Sequence, residues 1–365
     1  MSTENRKKRK YSDSDGQAEP LRRSAVWFKD GNLIVQAQNT LFRVYRGWLA
    51  FYAPRIVELL DDPQRVVEIV DGAEVLVMQD AAEDVEVVFE QLFRRTFADG
   101  SIPSFTAVAA CARIGKKYGI QSLYDDAVSR LSSVFPSTVE RWLHGSKPRI
   151  ASEPATNLRE SIALQTLVLA RELDLAELLP ALFFWLSLDS SLPLIVDAHV
   201  AGVSREDILA VLDGVRRRRT AHKEIITKWL GSPAQAGARE RCRTRDCLQQ
   251  RPQLVLEIVA DSSKDRDADA GASQWKWDTT WEKSFCAACI TANKAAYEMA
   301  GKEMWAALPG MFGLGSWNEI LGLPSQPPSR ASCSGKILML SRWCLFPGVL
   351  RPATPSVEDH RSLRR

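Results

Sequence analysis

Cysteine is the residue type in this 365-residue chain whose spacing best suits chemistry, and four of its seven cysteines form two close pairs. Four residues separate Cys242 from Cys247, and two separate Cys286 from Cys289. Each pair can supply two adjacent corners of a tetrahedron, so together they match the needs of one structural Zn²⁺. The stretch between the pairs is longer than in a compact zinc ribbon. It carries Trp275, Trp277 and Trp281, which could form the apolar shell a structural metal needs. The competing reading is four reduced cysteines packed as small core hydrophobes. Of the four histidines only His222 is kept as a substitute ligand, because His144, His199 and His360 show no ligand spacing. Cys111 lies in an apolar helical run and reads as an inert core thiol, while Cys333 and Cys344 fall in the C-terminal tail.

Catalytic patterns are not found. The chain has no G-x-x-x-x-G-K-[ST] loop, no G-x-G-x-x-G after a strand and no G-x-S-x-G elbow. The acidic doublets Asp61-Asp62, Glu83-Asp84 and Asp125-Asp126 are adjacent residues, which on a helix point in different directions. They read as solvated charge, and the chain is expected not to be an enzyme. Two basic runs stand out, Arg6–Lys10 near the N-terminus and Arg216–Arg219 further on. The first reads as a nuclear-import address or a solvated tail. The second could meet phosphates or assist import, but is best read as a solvated helix end where cations suit the dipole.

Composition bounds the rest. About 45% of residues are apolar and 25% charged, and the formal net charge is only +3, so the chain is not a polycation built to coat nucleic acid. No apolar run reaches the roughly 18–20 residues of a membrane helix. An N-terminus reading RKKRK, with no apolar segment behind it, argues against a secretory signal. The expected setting is inside the cell, in the nucleus, the cytoplasm or both.

Strands come early and helices follow, which predicts an α+β fold rather than a doubly wound parallel sheet. Residues 32–38 alternate, with Leu33, Val35 and Ala37 on one face, and Leu41–Tyr45 can return after a turn at Asn39-Thr40. A helix over 47–60 should break at Pro54, and a further strand is expected over 74–78. Asp80 is positioned to open a helix, with Glu83 in capping-box position. Behind it Val85, Val88, Phe89, Leu92 and Phe93 make one apolar stripe. Helices are then expected over 105–118, ended by Gly119, and over 121–134, ended at Phe135-Pro136. The pattern from Ser161 to Leu230 is almost wholly helical, with Ser204 as a cap, and a Trp-rich helical region runs from Trp275 to Leu308. The expected organisation is a disordered basic tail over 1–24, an α+β domain over 25–145, a helical region over 150–323 and a disordered tail over 324–365.

Several motifs between Trp27 and Trp142 recur in order: WFKDGNLIVQAQNTLFRVYRGWLAFYAPRIVELL, EVLVMQDAAEDVEVVFEQLF and FTAVAACARIGKKYGIQSLYDDAVSRL. Phe42, Val44 and Arg46 match an "F-x-V-H-R" step, and Leu49, Ala50 and Pro54 match an "L-A-x-x-S-P" helix start. Lys117, Tyr118, Gly119 and Ile120 form a "KYGI" junction. On these residues the segment, about a third of the chain, resembles a BTB/POZ domain of the basidiomycete fungal type. Tyr45 stands where that family has His and Ala53 where it has Ser; both positions are normally structural. The later "C-x-x-C" and the series Trp305, Leu308, Pro309, Phe312, Leu314 and Trp317 extend the likeness.

The resemblance implies an N-terminal small sheet flanked by helices and a protein-interaction role. Such domains self-associate, and some bind cullin-3 as substrate adaptors of ubiquitin ligases. The expected function is therefore a homodimeric scaffold with other proteins, cullin-3 among them, as partners. The alternative is a nuclear DNA-associated regulator using the basic segments and a metal-bound Cys module. Trp27, Phe28, Trp48, Phe51 and Tyr52 are the candidate surplus aromatics for an interface.

Overall fold

The computed structural model describes residues 20–94, 102–145, 150, 158–188, 198–199, 202–232, 242, 246–261 and 275–323. The basic run Arg6–Lys10, Cys333, Cys344, His360 and the segment 324–365 lie outside them. The fold is α+β, with a small sheet first and helices after it.

Five strands, β1 (Arg22–Trp27), β2 (Leu33–Ala37), β3 (Thr40–Val44), β4 (Glu68–Val70) and β5 (Ala73–Met78), lie in the order β1-β3-β2-β5-β4. β2 and β3 form an antiparallel hairpin, β1 joins β3 in parallel, β5 joins β2 in parallel and β4 closes the edge antiparallel to β5. The period-2 alternation has its expected consequence: Leu33, Val35 and Ala37 all enter the main core with Phe42 and Val44. Ile34, on the opposite face, is buried too, in a small second cluster with Ala73 and Val75. Ala37 pairs with Thr40, so the hairpin turns at Gln38-Asn39, one residue earlier than the spacing suggests. Gln38 takes the left-handed conformation (φ 51°) that this tight turn requires. Strand β1 also starts inside the expected disordered tail, because pairing to β3 supplies partners that Arg22–Ser24 lack by themselves.

The helices α1 (Arg46–Tyr52) and α2 (Pro54–Leu60) meet at Ala53, with Pro54 at the first position of α2, where its missing N–H is harmless. Tyr45 keeps a donor by giving its hydroxyl hydrogen to Asp30 (2.7 Å). Then come α3 (Ala82–Arg94), α4 (Phe105–Tyr118), α5 (Gln121–Val134) and α6 (Val139–His144). The apolar stripe of α3 is buried at Val85, Val88, Phe89 and Leu92. Asp80 lies before α3 and its oxygens accept from Lys117 Nζ (2.7 Å) and the Tyr118 hydroxyl (2.5 Å), which ties the start of α3 to the end of α4. Gly119 ends α4 in the left-handed conformation (φ 74°).

The second half comprises α7 (Leu158–Glu172), α8 (Leu179–Leu186), α9 (Arg205–Ile226), α10 (Asp246–Asp261), α11 (Ala287–Met311) and α12 (Trp317–Ile320). Ser204 caps α9 by accepting from the Asp207 N–H (3.1 Å), and buried Asp207 holds Arg171 of α7 through both carboxylate oxygens. The residues 216–219 sit in the middle of α9, which corrects their placement at a helix end. Arg218 is only 2% exposed, lies over the Phe184 ring and donates to Ser187 O (3.3 Å). Helices drawn from a four-arginine run must turn one of them inward, because successive side chains are about 100° apart around the axis.

The described residues belong to one compact unit, and a single apolar cluster runs from Val26 to Phe312. The hinge of this continuity is Trp142, fully buried on α6, with ring centroids 4.9 Å from Phe184, 5.8 Å from Trp305 and 6.3 Å from Trp275. Gly301 on α11 makes the close approach possible: a Cβ there would lie 2.5 Å from Leu143 Cδ2 and 2.5 Å from Trp275 Cδ1. Gly301→Ala should therefore lower stability by roughly 1–3 kcal/mol through overpacking, although alanine is the better helix former. Urea denaturation reads the sign; a rise in midpoint would show that the rings yield without strain.

Candidate metal centre

The two cysteine pairs come together. The sulfurs of Cys242, Cys247, Cys286 and Cys289 all lie within 4.8 Å of one another, and no disulfide joins them. Among the described residues this is the one gathered group of three or more His, Cys, Asp or Glu side chains. His222 does not belong to it; its ring packs against Trp275 instead (5.4 Å).

Helix ends position the ligands. Cys286 is the N-cap of α11, with extended backbone (φ −72°, ψ 161°), and Cys289 is the third residue inside the helix. Those two positions face each other at a helix start, as the partners of a capping box do, which is why a C-x-x-C spacing converges there. Cys247 is the second residue of α10, and Cys242 approaches from the segment before that helix. The Cys286 N–H donates to Cys247 Sγ (3.3 Å), a direct tie between the two pairs. Cys247 and Cys289 are buried, and Cys242 and Cys286 half-buried.

Opposing influences act on the sulfurs. Cys247 and the pair Cys286 and Cys289 sit at the N-terminal ends of two helices, each end equivalent to about half a positive charge. Arg251, one helical turn beyond Cys247, is only 4% exposed. Burial holds its guanidinium below the usual arginine value, with the Cys289 sulfur opposing that shift. Burial, and then hydrogen bonding of its S–H to Cys242, Cys286 and Cys247, raises Cys289 itself above the ordinary thiol value. Four sulfurs in a Zn–S tetrahedron stand about 3.8 Å apart, so closing on an ion asks for a contraction of at most about 1 Å. An all-sulfur set of this kind leaves no open position for substrate.

The three tryptophans share the apolar cluster with the sulfurs and gather on one ring. Trp275, Trp277 and Trp281 pack on Tyr297, two turns along α11 from Cys289, at 5.1, 5.6 and 5.5 Å. Trp275 Nε1 donates to Tyr297 O (2.6 Å). They anchor α11 to the core, and so brace the cluster from behind. Arg251 is the buried charge near the cluster that the cysteine spacing does not point to; its one signal in the sequence is its i, i+4 relation to Cys247.

Cys111 is buried in α4, and burial, then the Asp126 charge, pushes its thiol up to about 12, as suits an inert core position. Among the described residues no helix is long and apolar enough to cross a membrane. Comparison with protein-family models, curated proteins and solved structures found no match.

Proposed function

We propose that the protein is an interaction scaffold of the BTB/POZ type that self-associates through an aromatic face on α1, with its C-terminal helices stapled by one structural zinc ion. The observation that carries the scaffold reading is the exposure of Phe51 (77%) and Trp48 (46%), three residues apart on one face of α1. Tyr52 and Phe93 back them, at 5.1 Å from Phe51 and 5.5 Å from Trp48. A connected aromatic patch left in water is what a partner surface provides for. Of the other two candidates, Trp27 packs beneath the Arg23 guanidinium and Phe28 against Tyr45 and Phe93, so they serve the fold.

The order of a strand hairpin, a helix pair, a strand parallel to the hairpin and a run of helices supports the BTB/POZ reading, as do the motifs in residues 27–142. The zinc reading is supported by the all-sulfur donor set and its closeness. The same scaffold could bridge a target to cullin-3. The DNA-binding alternative is weakened at Arg216–Arg219, where Arg218 is buried and Arg217 is engaged by Asp213 and Met311 O.

Sedimentation of the full chain tests self-association. The wild type should dimerise at micromolar concentration, and Phe51→Asp should be monomeric with an unchanged circular dichroism spectrum. A wild type that stays monomeric to high micromolar concentration defeats the scaffold reading in this form.

A further inference from the structure

We infer that Arg251 is the built-in counter-cation of the metal–thiolate centre, its buried guanidinium balancing charge that the metal leaves uncompensated on the four sulfurs. The inference rests on the zinc reading above and adds a residue that the cysteine spacing does not reveal.

Arg251 is the second observation that points to an anionic centre here. Its Nε, Nη1 and Nη2 have no hydrogen-bond partner among the described residues, although the side chain is almost wholly buried. A guanidinium carries five donors and does not lose its proton in proteins, so burying one without an anion is strongly unfavourable. Among the described residues, buried Asp207 holds Arg171, and Arg218 reaches Ser187 O with one nitrogen while its Nε is unsatisfied. In Arg251 all three guanidinium nitrogens are unpartnered, and it stands one helical turn beyond a cysteine of the cluster.

Helix geometry directs it there. Arg251 follows Cys247 by four residues on α10, so the two share a face. Long helical side chains lean back toward the N-terminus, which carries the Arg251 stem toward the turn that holds Cys247. The Cys289 sulfur, from the other pair, acts on the guanidinium electrostatically, opposing the effect of its burial. Arg251 thus shares a helix face with a ligand of one pair and feels the charge of a ligand of the other.

The charges then balance. One divalent ion on four thiolates leaves about two net negative charges. The N-termini of α10 and α11 supply roughly half a positive charge each, and Arg251 supplies a whole one. With protonated thiols in place of the thiolates, the same guanidinium has nothing to neutralise. Arg251 therefore belongs to a thiolate centre, not to a cluster of neutral core cysteines.

The test compares the full chain with Arg251→Met, which keeps the apolar stem, and Arg251→Lys, which keeps the charge. Zinc affinity is read by competition with a chromophoric chelator. Arg251→Met should bind zinc about ten- to a hundredfold more weakly, and Arg251→Lys should recover most of that loss. Thermal melting supplies a second readout with opposite signs: Arg251→Met should lower the midpoint of the zinc-loaded chain and raise that of the chelator-treated chain. Should Arg251→Met fail to fold, Arg251→Gln replaces it in the affinity measurement. Equal zinc affinity in wild type and the neutral variants, with zinc bound by both, overturns the role of Arg251 alone. A wild type that takes up no zinc overturns the metal reading and this inference with it.

Discussion

One zinc ion per chain is expected to accompany the purified protein, and Cys286→Ser with Cys289→Ser is expected to abolish it. The four sulfurs lie within 4.8 Å of one another at the starts of two helices, and only a bound ion gives all four a favourable use as thiolates. Because the site is assembled by folding, its binding free energy counts as folding free energy, up to roughly 10 kcal/mol in favourable structural sites. Chelation should therefore lower the thermal midpoint of the whole unit. The first 145 residues share the apolar cluster from Val26 to Phe312 with the metal-bearing helices, so they should feel the loss of the ion as well. In a chain whose Cys333 and Cys344 are serine, a thiol reagent should find four new reactive groups after chelation, with Cys111 still silent inside α4. Metal analysis showing no zinc, or four thiols that react equally fast before and after chelation, would leave the buried-thiol reading standing.

Trp142→Ala should be the most damaging single core truncation at the join between the two halves. The ring is fully buried and meets Phe184, Trp275 and Trp305, which come from three other segments. Truncating a buried tryptophan costs about 3–5 kcal/mol, a large share of the 5–15 kcal/mol typical of a folded unit. Denaturant unfolding should show the wild type losing helix signal and tryptophan emission in one transition, and the variant doing so at a much lower midpoint. If the two signals separate in the wild type, the halves unfold independently and Trp142 does not couple them.

Local pattern was legible wherever it dictates local structure. The alternation of Leu33, Val35 and Ala37 placed a strand, because period 2 lets only one face meet the main core. Pro54 marked the boundary of two helices, Gly119 a left-handed helix end and Ser204 a cap, each through a constraint confined to a few residues. The cysteine spacing likewise named all four members of the cluster, since a helix start brings its N-cap and third residue together whatever surrounds it. The same spacing could not say that the two pairs, forty residues apart in the chain, would meet.

That meeting was decided by tertiary packing, as were the features the pattern misread. Strand β1 forms only because β3 offers it partners. His222 satisfied ligand chemistry on paper, but the core turned it onto Trp275. The tryptophans between the pairs all pack on Tyr297, and Trp275 also on Trp142, contacts that no spacing announces. Arg218 and Arg251 are the clearest cases: in sequence both are ordinary surface charges, and which arginines of a helix face inward depends on what packs against it. Sequence determined the donors and the elements that carry them. Tertiary structure decided their neighbours, because burial and charge compensation are properties of residues brought together from distant parts of the chain.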